Sequence, residues 1–109
     1  MLLYETISSD NFKYLAYIVG ESNRLIREYL DFFTPSRENN LDLLLNENFY
    51  FFKVEVDKEL KEVQDRVNGI NIFKIDTTEL ESIAKELDIL ISYFKYGCEK
   101  IKENEKVNN

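Results

Sequence analysis

The sequence predicts an all-α fold, an antiparallel bundle of three long helices, on the basis of three observations. Apolar residues recur at alternating steps of three and four, the spacing that places them on one face of an α-helix. Only three glycines and one proline occur in the 109 residues, so long elements are expected between them. The periodic segments have similar lengths and short connections, as an antiparallel bundle requires. We interpret residues 1–109 as a single helical domain, in which residues 103–109 lose the apolar pattern and form a frayed tail.

The last predicted helix, residues 77–103, is the element that the others are expected to cover. A capping box marks its start and is formed either by Thr78 with Glu81 or by Asp76 with Glu79. Its predicted core line consists of Leu80, Ile83, Leu87, Leu90, Phe94, Gly97 and Ile101.

The first predicted helix, residues 10–33, ends before Pro35, because the residue preceding a proline disfavours the α-helical conformation. Its predicted core line consists of Phe12, Leu15, Val19, Ser22, Ile26, Tyr29 and Phe33. Further apolar residues widen this line, namely Ile18, Leu25 and Phe32 on one side and Ala16 and Leu30 on the other. Gly20 either destabilises the helix by about 1 kcal/mol relative to alanine or, together with Ser22, lets another helix approach closely.

Residues 36–68 allow two interpretations. In the first, residues 39–68 form one helix that ends before Gly69, a residue suited to the position after a helix. Its core line would then be Leu41, Leu45, Phe49, Phe52, Val56, Leu60, Val63 and Val67. In the second, residues 49–56 and 70–75 form short strands of an α+β fold, because aromatic and β-branched residues favour strands. We prefer the helix because it gives three helices of matched length, with residues 70–75 as a connection that covers one end of the bundle.

The charge and the reactive residues exclude several classes of function. The net charge of −7, from 21 acidic and 14 basic residues, argues against direct nucleic-acid binding, which requires a basic surface. There is no histidine and one cysteine, Cys98, so zinc sites and Ser–His or Cys–His catalytic pairs are not expected. We therefore expect no catalytic residues, no metal and no cofactor. A lone cysteine, the absence of a signal peptide and the lack of a long apolar run indicate a cytoplasmic protein without membrane segments.

The seven tyrosines and eight phenylalanines are more than the core lines use. A second apolar line runs along each predicted helix, and on the middle helix it consists of Leu43, Tyr50 and Val54. Large amphipathic side chains outside the core are favoured at protein interfaces. The residues that we predict to bind protein are Tyr14, Tyr17, Ile89, Tyr93 and Tyr96. Alternatively, these lines belong to a thicker core that includes the N-terminal segment and residues 70–75.

These observations favour a small acidic protein that acts by stoichiometric binding of another protein. Inhibitor or immunity-type proteins of phages and mobile elements, including anti-CRISPR-like inhibitors, have these properties. The partner would be a protein, such as a nucleic-acid-binding one with a basic surface, or a second copy in a homodimer. One alternative is a structural subunit of a larger assembly. Another is a small all-α enzyme of the chorismate mutase type, in which Arg24 and Arg27 would bind a dicarboxylate.

Overall fold

The computed structural model describes residues 9–38 and 47–107, and it confirms the all-α prediction. The helices are α1 (Ser9–Phe32), α2 (Pro35–Glu38), α3 (Glu47–Asn68) and α4 (Thr77–Val107). No described residue lies in a strand, so the alternative strands at 49–56 and 70–75 are wrong. The predicted start of the middle helix at residue 39, together with Leu41, Leu43 and Leu45, lies outside the described residues.

The three long helices run up, down and up, with α4 in contact with both of the others. At one end of the molecule, Arg37, just after α1, donates to Glu105 near the end of α4 at 2.8 Å, so α1 and α4 run in the same direction. In α3, Arg66 near the end of the helix donates to Ser82 near the beginning of α4 at 3.1 Å, so α3 runs the opposite way. The result is an elongated bundle of 58 × 21 × 19 Å.

The core line predicted for α4 is confirmed. Its large apolar members, Leu80, Ile83, Leu87, Leu90, Phe94 and Ile101, are all buried. The predicted start is also correct, and the cap is Asp76, whose Oδ1 accepts a hydrogen bond from the Thr78 amide at 2.9 Å. The helix continues past the predicted end at residue 103 as far as Val107.

An aromatic cluster joins α1, α3 and α4 at the end of the bundle where α1 finishes. Its members are Tyr29, Phe32, Phe33, Phe49, Phe52 and Phe94. The rings of Phe52 and Phe94 stack with centroids 6.0 Å apart, and Phe33 lies 6.0 Å from Phe52. Gly97 provides the space for the Phe52 ring, since a Cβ at this glycine would lie 2.1 Å from the Phe52 Cε1.

The core line predicted for α1 is partly wrong. Ile18, Leu25 and Phe32, expected at its margin, are buried, whereas Phe12 and Val19, expected at its centre, are half exposed. The reason is the position of the neighbouring helices. Along most of its length α1 packs against α4, while the ring contacts between α1 and α3 are confined to the aromatic cluster. The apolar side of α1 that faces away from α4 therefore stays open.

The α3–α4 connection agrees with its predicted position but not in detail. Gly69 follows α3 and its amide donates to the Asp65 carbonyl at 3.0 Å, but its φ is not positive, so it is not a left-handed cap. Ile70 and Ile75 pack against the buried cluster around Ile18 and cover that end of the bundle, as expected. Phe73 does not contribute, since it is 80% exposed.

Candidate protein-binding surface

The three predicted binding residues of α4 lie on one side of the helix, beside its core line. Ile89 is 71% exposed, Tyr93 41% and Tyr96 62%. Their spacing of four and three residues keeps them along one face. The structure therefore leaves a large apolar surface in solvent here, while its role in binding is still a prediction.

A groove of about 470 Å³ runs between α3 and α4 at this surface. Ile89, Leu90 and Tyr93 supply its apolar part. Its acidic part consists of Glu55 and Glu59 from α3 and Glu86 from α4. The groove thus combines apolar surface with carboxylates contributed by two different helices.

The charge in this groove is only partly compensated, by Arg66 at Glu86 and by Lys58 near Glu59. Burial and the neighbouring carboxylates, Glu62 foremost, raise the pKa of Glu59, and burial together with Glu55 raises the pKa of the Tyr93 phenol. Arg66 pairs with Glu86 at one end. Among the side chains of residues 10–37 and 48–105, no cation forms a salt bridge with Glu55 or Glu59. A positively charged group that entered the groove would relieve this repulsion.

Tyr93 differs from its two neighbours on α4 because it also packs against the core. Its ring lies 5.5 Å from that of Phe52, at the edge of the aromatic cluster. Replacing Tyr93 would therefore remove a contact within the fold as well as exposed surface. Ile89 and Tyr96 are the residues at which binding and folding can be separated.

The structure does not bring Tyr14 and Tyr17 together with the α4 residues. The Tyr14 hydroxyl donates to Glu81 at 3.2 Å, and the Tyr17 hydroxyl donates to Asp88. The hydrogen bond to Asp88 raises the pKa of Tyr17 to about 12. Both tyrosines thus connect α1 to α4, which is a role within the fold.

Sequence reasoning missed the acidic residues of the groove, and it also missed the exposure of Phe51 on α3. Glu55 and Glu59 are four residues apart, a spacing that places them on one face of α3. Glu86 is distant in sequence, and only the register between α3 and α4 brings it to the same groove. Phe51 stands in an aromatic run whose exposed and buried members cannot be told apart without knowing where α4 lies.

One carboxylate cluster and the cysteine Cys98 bear on metal binding and catalysis. Carboxylate oxygens of Glu59, Glu62 and Glu86 lie within 4.8 Å of one another, but Arg66 pairs with Glu86, and exposed carboxylates alone do not define a metal site. Cys98 is buried, and burial raises its pKa to about 12, so it is a neutral thiol at physiological pH.

The arginines of the enzyme alternative do not converge on an obvious anion site. Arg24 pairs with Glu21 on the same helix at 2.5 Å, and Arg27 is exposed. Arg24 borders a groove between α1 and α4 of about 450 Å³, which Arg37, Lys95 and Lys102 also line, together with the acids Glu28, Asp31 and Glu99. Arg27 does not line this groove.

Comparison of the chain with protein-family models, with curated proteins and with solved structures found no match. In the part of the chain that the structure describes, no helix is both long and apolar enough to cross a membrane.

Proposed function

We propose that this protein acts in the cytoplasm by stoichiometric binding of another protein, through the α3–α4 groove and the adjoining residues Ile89 and Tyr96. The observation that carries the proposal is the combination of exposed apolar side chains with three carboxylates in one groove, where Arg66 pairs with Glu86 only. The partner that fits this chemistry has an apolar side chain surrounded by lysine or arginine residues.

The apolar part of the surface would supply most of the affinity. Binding energy concentrates at large side chains that become desolvated at the centre of an interface, where truncation costs about 2 kcal/mol or more. Ile89 and Tyr96 expose most of their surface, so removing them affects a partner more than the fold.

The acidic part would supply selectivity and speed of association. Complementary charge accelerates encounter and disfavours acidic partners, and both effects weaken as salt screens the charges. A net charge of −7 extends this preference over the whole molecule.

A partner with a basic surface is in many cases a nucleic-acid-binding protein, since phosphate neutralisation requires lysine and arginine. A small acidic protein that covered such a surface would block its nucleic acid, which is the action of an inhibitor. We therefore propose an inhibitor or immunity-type role, of the kind found in phages and mobile elements. The charge of the groove supports this role.

The test compares three forms of the chain in capture and binding experiments. Tagged wild type, the Ile89→Ala/Tyr96→Ala variant and the Phe73→Ala variant are used to recover proteins from host lysate. Phe73 is the matched control, because it is a highly exposed aromatic residue on the α3–α4 connection and does not line the groove. The affinity of the purified partner is then measured by calorimetry at low and high salt.

We expect the double variant to lose affinity by about 30-fold or more, which corresponds to about 2 kcal/mol. We expect Phe73→Ala to bind as the wild type does, and binding to weaken as salt rises. Equal capture by all three forms, or an acidic partner with salt-independent affinity, would show that the groove is not the binding site.

A further inference from the structure

The outward face of α1 carries a second exposed surface, separate from the α3–α4 groove. Six positions repeat at steps of four and three, the spacing of a coiled-coil seam. We name them the α1 stripe, and they are Phe12, Ala16, Val19, Asn23, Ile26 and Leu30. Ile26 is half-buried and the other five are exposed, with Phe12, Val19 and Leu30 between 50% and 62% exposed.

The sequence of residues along the stripe resembles the interface of a coiled coil, in which a second helix packs against the first. Apolar residues occupy five of the six positions, and one asparagine, Asn23, stands among them. A single asparagine at a core position is a known device by which coiled coils fix register and oligomeric state at some cost in stability. No helix of the described chain packs over this seam, because α4 lies on the opposite side of α1.

Gly20, at the edge of the stripe, adds an independent observation. Two glycines lie inside long helices, and glycine destabilises a helix relative to alanine. Gly97 is accounted for by the Phe52 ring that occupies its open space. At Gly20, an added Cβ would meet no atom within 4 Å. Nothing within the described chain needs this glycine, whereas a second backbone packed beside the stripe would use the space it leaves.

The distribution of charge favours a second copy of this chain as the partner of the stripe. The protein has a net charge of −7, so two copies repel one another at most orientations. The stripe contains no charged residue, and the charged side chains along its outer edge, Lys13, Arg27 and Asp31, carry both signs, so two copies that meet here do not bring only acids together. The groove has the opposite character, because a self-contact there would bring together the glutamates of both copies. A basic foreign partner would favour the groove over the stripe.

We propose that the α1 stripe is the contact face of a homodimer, in which α1 packs against α1 of a second copy. The same surface then serves both subunits, as in most symmetric dimers. The groove of each copy stays accessible, so the dimer would present two partner sites. The dimer face proposed here differs from the groove of the proposed function, so each proposal can be correct without the other.

The test is the molar mass in solution as a function of concentration, measured by sedimentation equilibrium between about 1 μM and about 500 μM. We expect the wild type to pass from 13.0 kDa to twice that mass. Val19→Glu places a charge in the seam and should raise the dissociation constant tenfold or more. Asn23→Leu removes the polar residue from the seam and should lower it.

Ile89→Glu is the matched control, since it places the same charge on an exposed apolar position outside the stripe. It should leave the dissociation constant unchanged. Circular dichroism at the lowest concentration checks that the variants are folded. A wild type that stays at 13.0 kDa throughout would overturn the proposal. So would an equal loss of association in Val19→Glu and Ile89→Glu.

Discussion

Gly97→Ala should destabilise the fold even though alanine is the better helix former. The added Cβ would lie 2.1 Å from Cε1 and 2.6 Å from Cδ1 and Cζ of Phe52. Carbon atoms in contact normally lie about 3.5–4.0 Å apart, so the ring must move by more than 1 Å. Its neighbours restrict that movement, since Phe94 stacks on it and Tyr93 lies 5.5 Å away.

The magnitude follows from two opposing effects. Replacing glycine by alanine in a helix interior contributes about 1 kcal/mol of stability. Overpacking a well-filled core costs about 1–3 kcal/mol. For Gly97→Ala the second effect should dominate or cancel the first, so we expect a loss of up to about 2 kcal/mol. In a chain of this size that loss lowers the melting temperature by roughly 10 °C.

Gly20→Ala is the matched control, because the substitution is the same and no atom lies within 4 Å of the added Cβ. It should raise stability by about 1 kcal/mol in the monomer. Urea unfolding followed by circular dichroism, at a concentration where the chain is monomeric, measures both changes. The reasoning fails if Gly97→Ala stabilises the protein as much as Gly20→Ala does, since the Phe52 ring would then be free to move away.

Three further predictions concern single polar groups. Ser22→Ala should raise the free energy of unfolding by about 1 kcal/mol, because the buried Ser22 hydroxyl finds no hydrogen-bond partner among the described residues; urea unfolding checks this. In the wild type, the raised pKa of Tyr17 means that the phenol stabilises the fold fully below its unfolded pKa of 10.0, and that this stabilisation is lost as pH rises through about 12. Tyr17→Phe should therefore lose less unfolding free energy than the wild type between about pH 10 and 12, which unfolding measurements across that pH range check. Cys98 should react with a thiol reagent near neutral pH only as fast as the chain opens, because burial raises its pKa to about 12; fast reaction of the native protein would contradict its placement.

Sequence periodicity was sufficient to predict the buried face of α4 but not that of α1, and the difference has a physical cause. α4 contacts helices on two sides, so its apolar line has one possible orientation, and the large apolar residues of that line are buried as predicted. α1 has a broad apolar surface and one main neighbour. Either side of that surface, the one containing Ile18 or the one containing Val19, could face that neighbour, and periodicity cannot choose between them.

The candidate site was likewise only partly predictable from the sequence. The core line of α4 can be read from the sequence, and Ile89 and Tyr96 lie beside that line, so their exposure could be predicted. The acidic part of the groove requires the register between α3 and α4, which the sequence does not state. Tyr14 and Tyr17 lie at the side of the α1 face that packs against α4, where a phenol can reach a carboxylate of α4. Their amphipathic character suits both an interface and a contact within the bundle, and only the neighbouring helix decides which.

Together, the two proposals assign self-association and the binding of a partner to separate faces of this acidic chain. Self-association of a protein with a net charge of −7 is favoured at a face without acids, such as the α1 stripe. Binding of a basic partner would instead use acidic residues, such as Glu55, Glu59 and Glu86 in the groove. Because α4 lies between these surfaces, a dimer through α1 leaves both grooves free. The two proposals can therefore be tested independently, since Val19→Glu should weaken the dimer tenfold or more without changing the intrinsic affinity of the groove for its partner.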